Sequence, residues 1–241
     1  MAESKIQNFN HLKIHSQFSI CEGAIKIDDL KEVAKEKKIK SLGLCDTSNL
    51  CGALEFAEKI SKSGTQPIIG TQINFKFGDT IGLIPLFALS EDGYKRIIEM
   101  SSLSYLTNDG TTEPHLNSEE LIKSNDGVAV FSGTINGLIG QLFNKGKFSD
   151  IEELYSKLKS AYGDKFYIEI QRHGDQNEIS FEKFNFSLSS KLEIPIIATN
   201  EVFYSNKDMY EAHDALICIK NKTYINEKNR IKYSNQHYLK N

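Results

Sequence analysis

Cysteine is scarce in this chain, and the marks of several specialised protein classes are missing. Four cysteines occur among 241 residues and none belongs to a CxxC pair, which argues against a disulfide scaffold and a zinc ribbon. The amino-terminal residues hold no apolar segment of the kind found in secretion signals, and no apolar run has the length of a membrane span. These absences predict a protein of the reducing cytoplasm with no membrane partner.

Charge of either sign is not in large excess, since 29 basic residues face 32 acidic residues and the net charge is −3. The chain as a whole therefore lacks the composition of a nucleic-acid-binding protein. Residues 220–241 differ, because six basic residues accompany a single acid, Glu227. Such a segment can contact DNA, although we favour a solvated tail or the start of another domain.

Glycine-rich phosphate loops and GxSxG motifs are absent, but a regular alternation of structural patterns is present. Apolar stretches of strand length alternate with helical patterns, in about seven strand–helix units with short connections. This alternation predicts an α/β fold on a parallel sheet. The length suits one barrel domain.

Polar residues follow the successive predicted strands. Because the carboxyl ends of barrel strands meet at one mouth, we expect their side chains to share a pocket. Imidazole and carboxylate groups among them are potential metal ligands. The set is His15, Asp46, Gln72, Thr134, His173 and Glu201.

The first predicted strand, in the stretch His11–Cys21, carries a lysine close to these polar residues. Lys13 stands two positions before His15, and its protonated amine has no lone pair to offer to a cation. At about 4 Å and an effective dielectric of about 20, Lys13 and a divalent ion would repel by roughly 8 kcal/mol. The sequence thus leaves open whether the pocket is a working metal site or the remains of one.

Short motifs along the chain resemble those of the PHP (polymerase and histidinol phosphatase) domain. The opening His11-Leu-Lys-Ile-His15-Ser16 resembles HLHxHSxYS, and Ala198-Thr-Asn-Glu-Val-Phe-Tyr204 resembles ATNDVHY. Three further matches, to TDHGNxxGAxEF, PIIGCE and SGC, are Cys45-Asp-Thr-Ser-Asn49 with Gly52-Ala-Leu-Glu-Phe56, Pro67-Ile-Ile-Gly-Thr-Gln72 and Ser132-Gly133-Thr134. Over residues 9–239, the motif sequences resemble in particular those of the amino-terminal PHP domains of bacterial DNA polymerase III alpha subunits.

The resemblance implies a distorted (β/α)7 TIM-like barrel over residues 1–219, with the basic segment 220–241 leading into a following polymerase domain. The longer parent protein would then be a DNA-directed DNA polymerase that uses Mg²⁺, acts in DNA replication and has its catalytic carboxylates in a palm domain outside this chain. For the PHP domain itself, the resemblance implies docking of the epsilon proofreading exonuclease and contact with the remaining alpha-subunit domains. DNA would be reached through the holoenzyme.

In metal-binding members of that family, residues at nine strand-end positions hold a cluster of up to three ions. By this resemblance, two of the positions carry hydrocarbon side chains, Leu83 and Phe203, which have no ligand atom. Two others carry Gln72 and Thr134, which are weak neutral ligands for a transition metal. We therefore predict a vestigial pocket with no metal, no cofactor and no catalytic residue. The nine positions fall on Lys13, His15, Asp46, Thr47, Gln72, Leu83, Thr134, Glu201 and Phe203.

Without a metal, the inward carboxylates of such a pocket would repel each other. We therefore expect the Lys13 ammonium to replace the cations and to pair with Asp46, Glu201 or both. His11 and His173 are expected as possible neighbours of the pocket.

Two enzymatic alternatives remain at this stage. A metal-dependent phosphoesterase or proofreading exonuclease with an altered ligand set could hold one ion on His15, Asp46, Glu201 and His173. A free-standing histidinol phosphatase fits less well, because the sequences of residues 211–219 and of the basic terminal segment resemble those of the polymerase subunits.

Overall fold

A computed structural model describes residues 9–108, 110–123 and 126–240. Residues 1–8 of the predicted barrel domain and residue 241 of the predicted basic segment lie outside the described residues. The strands of the described part are β1 (Ser41–Thr47), β2 (Gln66–Phe77), β3 (Thr80–Ala88), β4 (Leu116–Asn117), β5 (Val128–Phe131), β6 (Phe166–Ile170) and β7 (Ile196–Ala198). Its α-helices are α1 (Ile27–Glu36), α2 (Ala53–Lys62), α3 (Glu91–Leu106), α4 (Ser118–Lys123), α5 (Leu138–Asn144), α6 (Phe148–Tyr162), α7 (Glu178–Leu192) and α8 (Tyr210–Asn221).

The strands form one seven-stranded sheet in the order β1-β2-β3-β5-β6-β7, with β4 paired to β2. The predicted α/β class is confirmed, but the expectation of a parallel sheet throughout is wrong. Strand β3 is antiparallel to both β2 and β5. The physical reason is the two-residue connection between β2 and β3, where Gly78 has a φ of +59°. A parallel pair needs a crossover of a dozen or so residues, so this turn can only make a hairpin.

Residues 11–16 close the sheet into a barrel, although they form isolated bridges rather than the strand expected there. On one side, the Gly43 and Cys45 amides of β1 donate to the His11 and Ile14 carbonyls at 2.7 and 2.8 Å. On the other side, the His15 amide donates to the Val202 carbonyl at 2.9 Å. Gly43 permits this approach, because a Cβ there would lie 2.3 Å from the Leu12 carbonyl oxygen.

Alternation along the strands separates an outer core from the barrel interior. Leu86 and Val130 pack in the large outer cluster together with buried residues of α3, α5, α6 and α7. Their strand neighbours Phe87 and Phe131 face the opposite side, where their ring centroids lie 4.6 Å apart. None of the described helices has the length and apolarity needed to cross a membrane.

The segment that follows residue 219 packs onto the barrel through several contacts. The Arg230 guanidinium donates to both carboxylate oxygens of Asp214, at 2.6 and 2.7 Å. The Leu239 amide donates to the Tyr204 carbonyl at 3.1 Å, and the Leu239 side chain is buried. These residues of the basic segment are therefore not a solvated tail. The predicted boundary at residue 219 falls within α8.

Candidate functional site

The nine positions predicted from the resemblance, which we call the strand-end pocket, lie together at one end of the barrel. Five of them line one cavity of about 50 Å³. Lys13, His15 and Thr47 contact members of these five, whereas Asp46 bonds to the turn after His15. The cavity is also lined by Glu22 and Tyr233. The five are Gln72, Leu83, Thr134, Glu201 and Phe203.

Lys13 occupies the interior of this pocket and is completely buried. Its Nζ lies 3.1 Å from Glu201 Oε1 and 3.5 Å from Glu169 Oε1. The predicted pairing with Glu201 is confirmed. Lys13 Nζ has no hydrogen-bond partner within the described residues, so its attraction to the two carboxylates is mainly Coulombic.

The charges of this ion-pair group support one another. Burial alone would lower the pKa of Lys13, but the carboxylates of Glu169 and Glu201 outweigh it and raise the pKa above its ordinary value. Burial likewise pushes the pKa of Glu201 upward, but the Lys13 ammonium and the His15 ring hold it well below its ordinary value. At neutral pH, Lys13 and Glu201 are therefore both charged.

Asp46 is not a partner of Lys13, so Glu201 is the one of the two expected carboxylates with which Lys13 pairs. The turn after His15 satisfies the Asp46 carboxylate instead. Oδ1 accepts from the Ser16 amide and the Ser19 hydroxyl, each at 2.7 Å, and Oδ2 accepts from the Ser16 hydroxyl at 2.8 Å. Three neutral donors thus stabilise the Asp46 charge without a cation.

The remaining polar side chains of the pocket also have protein partners. His15 Nε2 donates to Glu201 Oε1 at 3.2 Å. Gln72 Nε2 donates to the Thr47 hydroxyl at 3.1 Å, and that hydroxyl donates to Glu22 Oε2 at 2.6 Å. The hydrogen-bonding capacity of these groups is therefore used within the chain.

A metal cluster does not fit this arrangement. The Lys13 ammonium lies 3.1 Å from the carboxylate of Glu201, and it has no lone pair and repels a cation. Leu83 and Phe203 supply no donor atom to the cavity, and the Phe203 ring packs against His15 with centroids 4.6 Å apart. The strand-end pocket therefore lacks the donor set that a metal-dependent step requires.

The two expected neighbours lie in different surroundings. His11 Nε2 donates to the Lys240 carbonyl at 3.0 Å, so His11 ties the carboxy-terminal segment to the barrel. The ring of His173 stacks on His237, with centroids 4.0 Å apart and planes inclined by 14°. His173 thus belongs to a second buried group.

This second group consists of His173, Asp175 and His237, and we call it the histidine–aspartate group. One ligand atom from each residue lies within 4.8 Å of those of the other two. Across the described ranges, this is the only set of three or more histidine, cysteine and acidic residues that meets that distance. The alternative set of His15, Asp46, Glu201 and His173 is therefore not brought together.

Sequence reasoning missed Glu169 and His237. Glu169 stands in the otherwise apolar strand β6, between Ile168 and Ile170, which pack in the outer core. A charged residue in an apolar strand was a readable signal for an inward carboxylate with a partner. His237 had no such signal, because its position depends on how the carboxy-terminal segment returns to the barrel.

Comparisons with known proteins agree with this geometry. The family model "PHP domain" matches residues 11–173. The DNA polymerase III subunit alpha of Caulobacter vibrioides is 32% identical over 248 residues, which cover 100% of this chain and 22% of the relative. That of Rickettsia felis is 36% identical over 212 residues, which cover 88% of this chain and 18% of the relative. The chain thus spans about a fifth of the length of these curated relatives and matches their amino-terminal part.

A solved structure supports the fold alone. An amidohydrolase from Chromobacterium violaceum, with bound sulfate and no metal, superposes with a TM-score of 0.51 at 12% identity. The match covers 86% of this chain and 96% of the amidohydrolase.

Proposed function

Because the chain belongs to the PHP domain family, we propose that it is the PHP domain of a replicative DNA polymerase III alpha subunit and is structural rather than catalytic. The full-length protein would carry out DNA-directed DNA synthesis with Mg²⁺ bound in another domain. Residues 1–219 would form the barrel domain, and residues 220–241 would lead into the next domain. The matches to alpha subunits over 88% to 100% of the chain support this proposal.

One observation carries the proposal that the domain is not a hydrolase. The Lys13 ammonium, with no exposed surface, lies between Glu169 and Glu201. Lys13 also stands at one of the nine positions that the resemblance assigns to metal ligands in other members of the family. Metal-assisted phosphoester hydrolysis requires a held ion that activates a water molecule. A fixed ammonium supplies charge but cannot bind water as a Lewis acid does. The strand-end pocket would therefore be vestigial, with no metal and no catalytic residue.

The proposed role is to dock partners. The first partners are the remaining domains of the alpha subunit, and the second is the separate epsilon proofreading exonuclease. DNA would be contacted through the holoenzyme, and the site of action would be the cytoplasm. The four cysteines are all free thiols, which is compatible with a reducing compartment.

The test uses the full-length alpha subunit. We expect isothermal titration calorimetry to show binding of the cognate epsilon subunit. We also expect no removal of a mismatched primer end by the alpha subunit alone in the presence of Zn²⁺ or Mn²⁺, and an unchanged result for Asp46→Asn.

Metal-dependent hydrolysis that Asp46→Asn abolishes would overturn the proposal and favour the phosphoesterase or exonuclease alternative. Failure to bind the epsilon subunit would remove the docking role.

A further inference from the structure

We propose that His173, Asp175 and His237 form a binding site for one divalent transition-metal ion of the Zn²⁺ type. Two imidazoles and one carboxylate are a donor set that holds Zn²⁺ with a fourth position left to water. Asp175 and His237 lie beyond residues 11–173, which the family model matches. The site is separate from the strand-end pocket and goes beyond the proposed docking function.

The strongest observation is the state of His237. Its Nδ1 lies 3.2 Å from the Glu201 carbonyl oxygen, which can only accept, so Nδ1 carries the proton and donates. In the neutral ring, Nε2 then carries a lone pair. Nε2 is buried and has no hydrogen-bond partner within the described part of the chain. A ring nitrogen fixed in this way by a carbonyl on its other side is the usual arrangement for a metal-binding histidine.

Asp175 faces that lone pair. Its Oδ2 lies 4.0 Å from His237 Nε2. A tetrahedral zinc ion, about 2.0 to 2.2 Å from each atom, would require the two atoms to be about 3.4 Å apart, so a shift of a few tenths of an ångström would complete the contact. Because the lone pair and the carboxylate are both electron-rich, a cation between them would remove a repulsion.

His173 offers the second imidazole. Its Nε2 donates to the side-chain oxygen of Asn200 at 3.2 Å, while the Asn200 amide donates to the Tyr238 carbonyl at 3.1 Å. The Asn200 side chain is thereby oriented, and the lone pair of the neutral His173 ring lies on Nδ1. Nδ1 lies 3.8 Å from Glu178 Oε1, so this lone pair faces a carboxylate, as the lone pair of His237 faces Asp175. Because the stacked rings hold their lone pairs nearly parallel, one ring would turn out of the stack when both nitrogens bind one ion.

The electrostatic surroundings also favour a cation. Burial, and then the negative charges of Glu178 and Glu201, raise the pKa of Asp175 to about 6. Burial, and then the neighbouring His173, lower the pKa of His237. The nearby carboxylates of Glu178 and Glu201 thus give the site a negative local potential, which suits a divalent ion.

The ion would clamp the carboxy-terminal segment to the barrel. His237 belongs to the carboxy-terminal segment, and its carbonyl accepts from the Phe203 amide at 2.9 Å. His173 and Asp175 belong to the loop that follows strand β6. Metal binding to the folded state alone stabilises it by mass action. We therefore expect Zn²⁺ to raise the melting temperature of the protein.

The experiment uses full-length protein stripped with a chelator and titrated with Zn²⁺, and with Co²⁺ as a spectroscopic probe. We expect about one zinc equivalent, a tetrahedral Co²⁺ absorption band and a higher melting temperature with zinc. Asp175→Asn is nearly isosteric and partly exposed, so it should keep the fold. It should bind zinc at least about tenfold more weakly, and His237→Gln should do the same.

Two matched controls separate this site from other sources of binding. Asp164→Asn changes a fully exposed aspartate and should bind zinc as the wild type does. Asp46→Asn alters the strand-end pocket and should also retain the ion. Absence of zinc binding by the wild type, or unchanged binding by both Asp175→Asn and His237→Gln, would overturn this site alone. Loss of zinc in Asp46→Asn would place the ion in the strand-end pocket and overturn this site and the proposed vestigial pocket together.

Discussion

Two buried polar groups lie side by side in this barrel, and they balance charge in opposite ways. In the strand-end pocket the chain supplies its own cation, because the Lys13 ammonium lies between the carboxylates of Glu169 and Glu201. In the histidine–aspartate group the ion pair of Asp175 within the described residues is with the ring of His237, and His237 Nε2 has no hydrogen-bond partner there. Glu201 contacts both groups, because its side chain pairs with Lys13 and its backbone carbonyl accepts from His237 Nδ1.

Under the proposed function, this difference illustrates the consequences of replacing a bound ion by a lysine side chain. An ammonium on a flexible stem fills a site with a charge that cannot dissociate, and it makes folding of the pocket independent of metal supply. It cannot coordinate water, so the exchange removes Lewis-acid chemistry at the same time. A set of lone pairs without such a cation keeps the capacity to recruit one from solution.

The largest expected effect comes from removing the built-in cation. Lys13→Met keeps much of the side-chain volume but leaves the carboxylates of Glu169 and Glu201 buried without their countercharge. We expect the free energy of unfolding at pH 7, measured by urea titration, to fall by about 3 to 5 kcal/mol.

The control for this change is Lys95→Met on the exposed surface of α3, where the lysine side chain is 64% accessible. It should alter the same free energy by less than about 0.5 kcal/mol. Adding Glu169→Gln and Glu201→Gln to Lys13→Met should recover part of the loss, because the uncompensated charges are then gone. Equal stability of Lys13→Met and the wild type would show that the ion pair contributes nothing.

The alternating patterns predicted most helices and strands, because burial on one face imposes a period that can be read locally. They missed the antiparallel placement of β3, although the two-residue connection Gly78-Asp79 is a local hairpin signal, because the repeated alternation of strands and helices was interpreted as a parallel sheet. Nor could they predict that residues 11–16 close the barrel by bridges to β1 and Val202. Closure is a long-range property that no local period contains.

The site was predictable to the extent that motif positions mark strand ends. The sequence limited the expected partners of Lys13 to Asp46 and Glu201, because inward carboxylates without a metal need a countercharge. The choice between Asp46 and Glu201 could not be made, since it depends on donors from Ser16 and Ser19 that only the folded turn brings to Asp46. His237 was out of reach for the same reason, because it lies 64 residues from its stacking partner His173 and joins it only through tertiary packing.

A second, smaller effect on the free energy of unfolding is expected at acidic pH. The folded protein holds the pKa of Glu201 well below that of the unfolded chain, chiefly through Lys13. Its contribution to stability is therefore present above the unfolded pKa of about 4.3 and is lost as the pH falls through the folded value. The difference in free energy of unfolding between the wild type and Glu201→Gln should accordingly narrow as the pH is lowered from 7 to about 3.

Repeating this comparison in the Lys13→Met variant tests whether Lys13 is responsible for the dependence on pH. Without the ammonium, the same comparison between glutamate and glutamine at position 201 should show little or no narrowing in acid. A narrowing of equal size in both backgrounds would mean that Lys13 is not what stabilises the Glu201 charge.

The smallest expected effect concerns the carboxylate that relies on neutral donors. Ser19→Ala removes the hydroxyl that donates to Asp46 Oδ1 at 2.7 Å and accepts from the Thr47 amide at 3.0 Å. The Ser16 amide continues to donate to the same oxygen, so we expect a loss of about 1 to 2 kcal/mol in the free energy of unfolding at pH 7. Ser102→Ala on α3, whose hydroxyl bonds to the Ile98 carbonyl at an exposed position, is the matched control and should change it by less than about 0.5 kcal/mol. If Ser19→Ala were as costly as Lys13→Met, neutral donors would matter as much as the built-in cation, and the contrast between the two ways of stabilising a buried carboxylate in this pocket would not hold.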